Sequence, residues 1–538
     1  MATLLRATAR VRAVSGTTIP RLIDDAAERF GDHEAFVDGD QRWTYAGYRE
    51  RIHAAARALM AHGIQSGDRV AVWAPNTAEW AVAALGVHCA GATLIPINTR
   101  FRGREAGDLL DRTSAKVLFT VTDFLDTDYV ALLNDAGAGS GLEETVILRG
   151  TVPEGCTSWD GFLEAATIVD DADRAARSAA VGPDDPCHVM FTSGTTGAPK
   201  GAILRHGAIC RAYRSWSDVI GLRQDDRYLV VNPFFHAFGL NAGILACLLT
   251  GATLVPHPVF DVPSVMARVA QERISMLPGP PAIYQTILNH PDLAGLDMSS
   301  LRLAVTGAAP VPVPLVHAMG DTLGFETVIT GYGLTEASGI ATMCRHDDPP
   351  EVISGSSGRA IDDVEVLVVD ADGDEVPRGE PGEVVVRGYN VMAGYLDDSD
   401  QTAEAVDADG WLHTGDIGVM DAAGYLDITD RLKDMFINGG FNVYPAEVEG
   451  LLLAHPDIAQ VAVVGIPDER LGEVGMAFVV ATSGTFPDPA DLVAWARTEM
   501  ANYKAPRCFE VVDALPVNAS GKVLKYELRK RARSAQGA

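Results

Sequence analysis

The spacing of apolar residues predicts alternating helices and strands through the first two thirds of the chain. Apolar positions recur about every 3.6 residues at 21–30 and again at 44–62, where Thr44 is a suitable N-cap, so both segments are predicted helices. Residues 78–89 are apolar on nearly every side, which predicts a helix inside the protein. Short apolar runs predict strands at 70–73, 91–96, 117–121 and 187–191.

The order of these elements predicts an α/β fold. Strands that alternate with helices at this spacing indicate parallel β sheets covered by helices, and the same rhythm returns at 227–255 and 301–328. After about residue 355 the elements shorten. Two short strands (364–369 and 383–387) around an Asp-Gly turn predict a small β subdomain.

The pattern of predicted elements changes a second time after Lys433. It predicts a separate α+β unit of roughly 100 residues, which is long enough to fold alone. No repeat and no low-complexity linker precedes it, so the boundary near 430–434 is interpreted as a hinge. Its predicted elements are helices at 445–453 and 489–501 and strands at 458–464, 476–481 and 508–512.

Composition narrows the function classes. A chain of 538 residues is too long for one core. Its net charge of −29 disfavours nucleic acid or an anionic membrane as partner of the whole surface. The seven cysteines lack any Cys-x-x-Cys pair, which argues for a reducing compartment and against a zinc site or disulfide framework.

The N-terminal segment has two interpretations. Arg6, Arg10 and Arg12 precede the first acidic residue, Asp24, as in a transit peptide, but a frayed terminus before the first helix is the simpler interpretation. No run of 18 apolar residues occurs anywhere. We therefore expect a cytoplasmic protein without a transmembrane segment.

The most informative segment is Phe-Thr-Ser-Gly-Thr-Thr-Gly-Ala-Pro-Lys-Gly, between Phe191 and Gly201. Glycines let backbone N–H groups turn toward an anion, hydroxyls add donors, and Lys200 adds positive charge, which together suit a polyphosphate. It is not a Walker A loop, because Pro199 precedes the lysine and no Ser or Thr follows it. An ordinary Gly/Ser/Thr surface loop is the alternative.

The segment resembles the phosphate loop of the adenylate-forming superfamily, which includes acyl-CoA synthetases, peptide-synthetase adenylation domains and firefly-type luciferases. Further segments similar to the family's motifs follow in the family's order and extend the resemblance over essentially the whole chain. They are Asn-Pro-Phe-Phe-His-Ala-Phe-Gly-Leu at 232–240, Thr-Gly-Ala-Ala-Pro at 306–310, Gly-Tyr-Gly-Leu-Thr-Glu at 331–336, Trp-Leu-His-Thr-Gly-Asp at 411–416, Asp-Arg-Leu-Lys-Asp at 430–434 and Pro-Val-Asn-Ala-Ser-Gly-Lys at 516–522.

The resemblance implies three parts. Residues 1–430 would form the AMP-binding domain with the nucleotide and acyl pockets, 431–433 the hinge, and 434–538 a mobile C-terminal domain that carries the catalytic lysine, Lys522. That lysine would reach the carboxylate and the α-phosphate, where a crowded anionic transition state needs a cation placed in advance. A solvated lysine on a basic C-terminal helix is the alternative.

The resemblance also implies a MgATP site. Thr335 would bind a phosphate oxygen, Glu336 and Thr192 would bind Mg²⁺, and Tyr332 would stack on adenine. Asp416 would accept both ribose hydroxyls, with Arg431 fixing sugar and phosphate, although a structural Asp–Arg ion pair is the alternative. The remaining nucleotide and CoA positions implied are Ser193, Gly194, Thr195, Thr196, Gly197, Lys200, Gly307, Ala308, Ala309, Pro310, Gly331, Gly333, Ile428, Lys433, Gly439 and Gly440.

The acyl site is implied by the same motifs. His236 would form a wall between acyl pocket and thiol tunnel, with a hydrogen-bonded core histidine as the alternative. Gly439 and Gly440 would let the pantetheine arm of CoA pass, or would form a simple turn. The implied pocket positions, an apolar set with small residues, are His236, Phe238, Asn241, Gly307, Gly339 and Ile340.

Two positions depart from the family pattern. Ala360 stands where relatives usually have proline, which we expect to affect loop stiffness only. Ala308 and Ala309 occupy the adenine turn where a glycine is common, and their methyl groups would narrow the neighbouring cavity or shift the base.

The resemblance implies a CoA ligase that uses ATP, Mg²⁺ and CoA to activate a medium-sized hydrophobic acid: fatty, aryl or alicyclic. An adenylating enzyme that loads a carrier protein is the alternative, but the aspartate that pairs an amino-acid ammonium is missing near His236. A luciferase-like oxygenase and a non-catalytic nucleotide-binding regulator stay open, and a homodimer is compatible with the sequence. No Gly-x-Ser-x-Gly supports a hydrolase.

Overall fold

The structure is a computed structural model that divides the chain into two compact units. The first comprises Met1–Glu365 and Val386–Leu412, and the second comprises Val366–Val385 and His413–Ala538. This division leaves the hinge at 431–433 a prediction. The structure describes residues 16–192, 199–307, 311–431, 434–438, 441–468, 471–500, 502–517 and 523–536.

The helices predicted at 21–30, 44–62, 78–89, 445–453 and 489–501 are present, with ends that differ by at most a few residues. The α helices of the described residues are Ile19–Phe30, Tyr45–Ala61, Ala78–Cys89, Gly103–Thr113, Tyr129–Asp135, Trp159–Glu164, Asp171–Ala179, His206–Ile220, Ala246–Thr250, Val262–Glu272, Pro281–Leu288, Val313–Leu323, Pro350–Gly355, Ser399–Ala405, Pro445–Leu452, Pro489–Glu499 and Lys525–Gln536. Three short 3₁₀ helices join them at Ala165–Ile168, Leu293–Gly295 and Thr335–Ala337, and Phe238–Leu245 is a π-helix.

The strands are numbered in chain order. They are β1 (Glu34–Asp38), β2 (Gln41–Thr44), β3 (Arg69–Trp73), β4 (Thr93–Pro96), β5 (Val117–Val121), β6 (Glu144–Arg149), β7 (Thr157–Ser158), β8 (Pro186–Thr192), β9 (Lys200–Arg205), β10 (Arg227–Val230), β11 (Thr253–Pro256), β12 (Leu303–Val305), β13 (Thr327–Ile329), β14 (Gly331–Tyr332), β15 (Thr342–Met343), β16 (Arg359–Ala360), β17 (Val364–Val369), β18 (Pro381–Gly388), β19 (Gly394–Tyr395), β20 (Leu412–Met420), β21 (Leu426–Arg431), β22 (Phe436–Asn438), β23 (Phe441–Val443), β24 (Ile458–Asp468), β25 (Gly472–Ala481) and β26 (Cys508–Val511).

An eight-stranded sheet in the order β19-β9-β8-β4-β3-β5-β6-β7 dominates the first unit. The contacts from β8 through β4, β3, β5 and β6 to β7 are parallel, as the alternation of strands and helices predicted. β8 and β9 differ, because they form an antiparallel hairpin that the sequence did not reveal. Because β9 runs back along β8, Thr192 and Lys200, which flank the phosphate-loop segment, lie next to each other.

The two most strongly patterned helices of the first unit are confirmed. Ala78–Cys89 is buried on almost every side, since only Glu79 among its residues is more than marginally accessible. Thr44 caps the helix Tyr45–Ala61, and its side-chain oxygen accepts a hydrogen bond of 3.1 Å from the Gly47 N–H. The two helices pack against each other.

The second unit contains an α+β core over the C-terminal part of the chain. Its strands follow the order β23-β22-β25-β24, and β26 adds in parallel to β25. The long antiparallel pair β24/β25 runs from Ile458↔Ala481 to Asp468↔Gly472, several residues longer than predicted, because β-branched and small residues continue through a proline and glycines. The helices Pro445–Leu452 and Pro489–Glu499 contribute Val448, Leu452 and Leu492 to its apolar core.

None of the helices within the described ranges combines the length and apolar character that a membrane span requires.

Three histidines from different elements meet in the core of the first unit. The His88 ring lies 4.9 Å from the His188 ring and 5.4 Å from the His206 ring, between centroids, and all three side chains are buried. Burial lowers the pKa of His188 to about 4 and that of His206 to about 3, and burial together with the two neighbouring rings lowers the pKa of His88. The folded protein therefore holds these rings neutral.

Acid is expected to destabilise the first unit through this cluster. Below pH 6.5 the unfolded chain binds protons that the folded core does not, so the free energy of unfolding falls as pH falls, by about 2 kcal/mol at pH 5 for each of His188 and His206. His88→Leu should make this decline shallower, measured by denaturant unfolding at pH 7, 6 and 5. His317→Leu at an exposed position is the control. Equal pH slopes in all three proteins would contradict the prediction.

Candidate active site

The phosphate-loop segment connects the two strands of the β8/β9 hairpin. Thr192 ends β8 and Lys200 begins β9, and the two are paired across the strands. Arg112 supports the base of this loop, where it donates a hydrogen bond of 2.8 Å to the Pro199 carbonyl and its guanidinium lies 5.2 Å from the centroid of the Phe191 ring. The ends of the loop are thus held by the sheet and by one arginine.

A half-buried cluster joins this hairpin to Glu336. The Thr192 hydroxyl donates to Glu336 Oε1 at 3.3 Å, and the Tyr395 hydroxyl donates to the same oxygen at 2.9 Å. Burial and the Glu336 carboxylate raise the pKa of Tyr395, because a phenolate next to a carboxylate would be repelled. Two residues that the sequence assigned to Mg²⁺, Thr192 and Glu336, are thereby in direct contact.

Lys200 belongs to the same cluster. Its ammonium donates to the side-chain oxygen of Gln401 and lies 5.1 Å from the centroid of the Tyr395 ring. The ring face favours the cation, while the hydroxyl of the same ring contacts Glu336. Tyr395 therefore holds a cation and an anion at the mouth of the phosphate loop without letting them form an ion pair.

The Gly-Tyr-Gly-Leu-Thr-Glu segment folds into a tight turn that leads to Glu336. Thr335 and Glu336 begin the 3₁₀ helix Thr335–Ala337. A Cβ on Gly333 would lie 2.3 Å from the Gly339 carbonyl oxygen, so the chain can close here only with glycine. Asn390 fixes the turn, because its buried side-chain amide donates to the Ile340 carbonyl at 2.9 Å while its backbone carbonyl accepts from the Ser338 hydroxyl at 2.7 Å.

Gly307 lies beside this turn. A Cβ at that position would be 3.9 Å from the Gly331 carbonyl oxygen. The start of the Thr-Gly-Ala-Ala-Pro segment and the start of the Gly-Tyr-Gly segment are therefore neighbours, and Tyr332 follows immediately in β14. Contact of Gly307 and Tyr332 with the adenine base stays a prediction.

His236 belongs to a loop that a buried asparagine holds in place. Asn76 accepts a 2.7 Å hydrogen bond from the Phe234 N–H and donates to the carbonyls of Asn232 and Val230. His236 is exposed to solvent, and desolvation by the surrounding residues lowers its pKa. Its Nδ1 accepts from the Phe238 N–H at 3.2 Å, so the neutral ring carries its proton on Nε2.

The predicted acyl positions lie close to this loop. A Cβ on Gly339 would lie 3.1 Å from the Ala237 Cβ, so Gly339 packs directly against the segment after His236. Phe238 begins the π-helix that contains Asn241, and Ile340 is buried next to Gly339. The structure thus brings Gly339 and Ile340 next to the segment that contains His236 and Phe238.

The predicted ribose residues lie in the second unit. Asp416 in β20 pairs with Arg431 in β21, and Gly418 pairs with Ile428 two positions along. Asp416 is only 3% exposed, and its backbone N–H donates to the Thr414 hydroxyl at 3.1 Å. The register therefore places Asp416 and Arg431 side by side, as both the ribose interpretation and the ion-pair alternative require.

The other predicted site residues fall outside what the structure describes. They are Ser193, Gly194, Thr195, Thr196, Gly197, Ala308, Ala309, Pro310, Lys433, Gly439, Gly440 and Lys522, and their roles stay predictions.

Several residues that shape the site were not predicted from the sequence. Tyr395 and Gln401 lie about 60 residues beyond Glu336, in a segment that contains none of the family's motifs. Arg112 lies in the helix Gly103–Thr113, which also contains none of them. Asn76 alone had a signal, because it follows a predicted strand directly, at a position where parallel strands present polar side chains to a site.

Comparison with known proteins extends these observations. The model of the AMP-binding enzyme family matches residues 23–396, and that of the AMP-binding enzyme C-terminal domain matches residues 447–522. A 3-[(3aS,4S,7aS)-7a-methyl-1,5-dioxo-octahydro-1H-inden-4-yl]propanoyl:CoA ligase from Rhodococcus jostii (strain RHA1) is 50% identical over 518 residues, covering 95% of this chain and 98% of the relative.

Solved structures agree along nearly the whole chain. The anthranilate CoA ligase AuaEII in complex with anthranoyl-AMP is 28% identical with a TM-score of 0.86, covering 97% of this chain and 98% of its own. The o-succinylbenzoate coenzyme A synthetase (MenE) from Bacillus subtilis in complex with ATP and magnesium ion is 28% identical with a TM-score of 0.79, covering 94% and 98%. The two family models match the N-terminal and C-terminal parts of the chain, and the relative and the solved structures match both parts together.

The fold, the cluster that joins Glu336 to the phosphate loop, and these matches lead to one conclusion. The chain belongs to the AMP-binding enzyme family and is an adenylate-forming acyl-CoA synthetase.

Proposed function

We propose that this enzyme attaches a medium-sized hydrophobic acid (alicyclic, aryl or fatty) to CoA in two steps. The acid carboxylate attacks the α-phosphorus of ATP, which forms acyl-AMP and releases pyrophosphate. The CoA thiol then attacks the acyl carbon, which forms acyl-CoA and releases AMP. The observation that carries the proposal is the contact of Thr192 with Glu336 at the mouth of the phosphate loop.

The described residues fit MgATP. A carboxylate oxygen and a threonine hydroxyl 3.3 Å apart are oxygen ligands of the kind that Mg²⁺ takes along with phosphate oxygens. Bound Mg²⁺ would neutralise charge on the phosphates. Glu336 and Thr192 would hold it, Lys200 would pair with a phosphate oxygen in place of Gln401, and Thr335 would donate to phosphate.

The acid is proposed to bind beside His236. Phe238, Ile340 and the bare backbone of Gly339 offer an apolar surface next to the neutral imidazole. The similarity to a ligase for an alicyclic propanoate, at 50% identity, favours an alicyclic acid, whereas an aryl acid is favoured by the structural match to an anthranilate ligase. A medium-chain fatty acid is the third member of the class.

The second step is assigned to CoA and to a rotation of residues 434–538 about Lys433. Lys522 would serve adenylate formation, and Gly439 and Gly440 would then admit the pantetheine arm, with Asp416, Ile428 and Arg431 around the ribose. CoA is preferred to a carrier protein because the compared relative is named as a CoA ligase. Such an enzyme of acyl-CoA metabolism belongs in the cytoplasm.

Release of AMP and pyrophosphate tests this assignment. The purified protein with MgATP is given acetate, octanoate, palmitate, benzoates, cinnamates and alicyclic propanoates, each with and without CoA. AMP formation that depends on CoA is expected with alicyclic or aryl acids and to be at least tenfold slower with acetate and palmitate, which underfill or exceed the pocket. Pyrophosphate release that never consumes CoA would point instead to a carrier protein as acceptor.

A further inference from the structure

Asn241 is a polar residue in an otherwise apolar segment. It lies within the π-helix Phe238–Leu245, and its side chain is fully buried. π-helical turns are rare and occur often at functional sites, because the wider turn redirects one or two side chains. A buried amide that lacks hydrogen bonds costs about 1–3 kcal/mol, so its surroundings require an explanation.

His188 fixes one end of this amide. Its Nε2 lies 3.2 Å from Asn241 Oδ1, and both side chains are fully buried. In the tautomer with the proton on Nε2, the imidazole donates to Oδ1, which turns the amide NH₂ to the opposite side. Because β8 carries His188 and leads directly to Thr192, this contact anchors the acyl side of the site to the strand before the phosphate loop.

The NH₂ end points toward Tyr213 but remains unsatisfied. Asn241 Nδ2 is buried and forms no hydrogen bond with the residues that the structure describes. It approaches the Tyr213 hydroxyl, and this polar contact offsets part of the rise that burial causes in the pKa of Tyr213. Two hydrogen-bond donors, an amide N–H and a phenol O–H, therefore lie next to each other.

The backbone of Gly339 packs closely against the Tyr213 hydroxyl. A Cβ at Gly339 would lie 2.4 Å from that oxygen, and the glycine has φ of +90°, so a side chain is excluded by contact and by conformation. The same position contacts Ala237, which follows His236. The two donors thus border the acyl positions.

We propose that Asn241 and Tyr213 form a donor pair that binds a carbonyl oxygen on the ring or chain of the acid, remote from its carboxylate. We call Asn241, Tyr213 and Gly339 the polar notch. His188 is a positioning residue that orients the Asn241 amide toward the notch. The inference rests on the proposed function and deepens it: the acid is not a plain hydrocarbon acid but a keto acid.

The physical basis is the cost of an unpaired donor. A plain hydrocarbon acid would cover the notch and leave the Asn241 N–H without a partner, whereas a ketone oxygen would accept from both donors. Sites built to hydrogen-bond a substrate oxygen reject analogues that lack it more strongly than apolar pockets reject an extra methylene. A matched ketone should therefore be preferred by about 10-fold to 100-fold in kcat/KM.

The test uses three acids of nearly one shape: 3-(4-oxocyclohexyl)propanoate, 3-(4-hydroxycyclohexyl)propanoate and 3-cyclohexylpropanoate. CoA-dependent AMP formation by the full-length protein gives kcat/KM for each. The ketone is expected to give the highest kcat/KM of the three acids. Asn241→Leu should reduce the ketone-to-hydrocarbon ratio at least tenfold, whereas Asn134→Leu, at an exposed position, should leave it unchanged.

Further variants separate the roles of the notch and of His188. Tyr213→Phe removes one donor without loss of ring packing and should lower the ratio less than Asn241→Leu does. His188→Phe frees the Asn241 amide and should lower the ratio, while His188→Gln, which retains a donor for Oδ1, should restore most of it. A loss of activity toward all three acids in equal proportion would mark His188 as structural only and overturn its positioning role.

The outcomes also separate this inference from the proposed function. Ligase activity without any preference for the ketone would overturn the polar notch and leave the ligase standing. A preference for the alcohol would show that Asn241 presents its oxygen instead, which also overturns the proposal. No CoA-dependent AMP formation with any acid, including the wider panel, would overturn the ligase assignment and the notch together.

Discussion

Replacement of Glu336 by glutamine is expected to slow acyl-adenylate formation by a factor of about 100 or more. The amide oxygen of glutamine can still accept hydrogen bonds from Thr192 and Tyr395, so the cluster should keep its geometry. What disappears is the negative charge that would hold Mg²⁺ against the phosphates. ATP–pyrophosphate exchange with a good acid substrate measures this step alone.

A matched variant distinguishes charge from hydrogen bonding. Tyr395→Phe removes the other strong contact of Glu336 and leaves the carboxylate, so exchange should fall by no more than about tenfold, the value of one hydrogen bond. Raising the Mg²⁺ concentration should partly restore the rate of Glu336→Gln but not that of Tyr395→Phe. Equal losses in the two variants, both insensitive to Mg²⁺, would show that Glu336 only supports the fold here.

The fold was predictable where one face or all faces of an element are apolar. Ala78–Cys89 could be predicted to the residue because helix length and burial on every side leave no other solution. The β8/β9 hairpin could not, because Lys200–Arg205 is a short mixed segment whose strand state depends on pairing with β8 and β19. Local periodicity does not report such long-range pairing.

The site divides in a similar way. The residues proposed to contact substrates lie in motifs, so Thr192, Lys200 and Glu336 could be proposed from the resemblance. The residues that hold those side chains could not be predicted. Tyr395 contacts Glu336 through one hydroxyl and Gln401 contacts Lys200 through one amide, and a single polar group distant in sequence leaves no pattern along the chain. Asn241 was predicted as part of an apolar pocket, and its unsatisfied amide became visible only when His188 and Tyr213 were located around it.

Replacement of Lys522 by alanine is expected to separate the two half-reactions. Adenylate formation should fall by about 10²–10³-fold, the usual loss when one preorganised cation or donor is removed from an anionic transition state. Conversion of supplied acyl-AMP and CoA to acyl-CoA should continue near the wild-type rate, because that step needs no charge at the α-phosphate. Pyrophosphate exchange and thioester formation are measured separately on the same preparation.

Lys433→Pro is the complementary variant, and the pair tests the rotation more strictly than either alone. Proline fixes φ near −65° at the predicted hinge, so one domain arrangement should remain accessible and the other should be hindered. We expect pyrophosphate exchange to persist in Lys433→Pro while thioester formation falls at least tenfold, the reverse of Lys522→Ala. Opposite defects in the two variants require two arrangements of residues 434–538 that alternate during one turnover. Loss of both half-reactions to the same extent in both variants would instead mean that one arrangement serves both steps, and that the segment 431–433 is a connection and not a hinge.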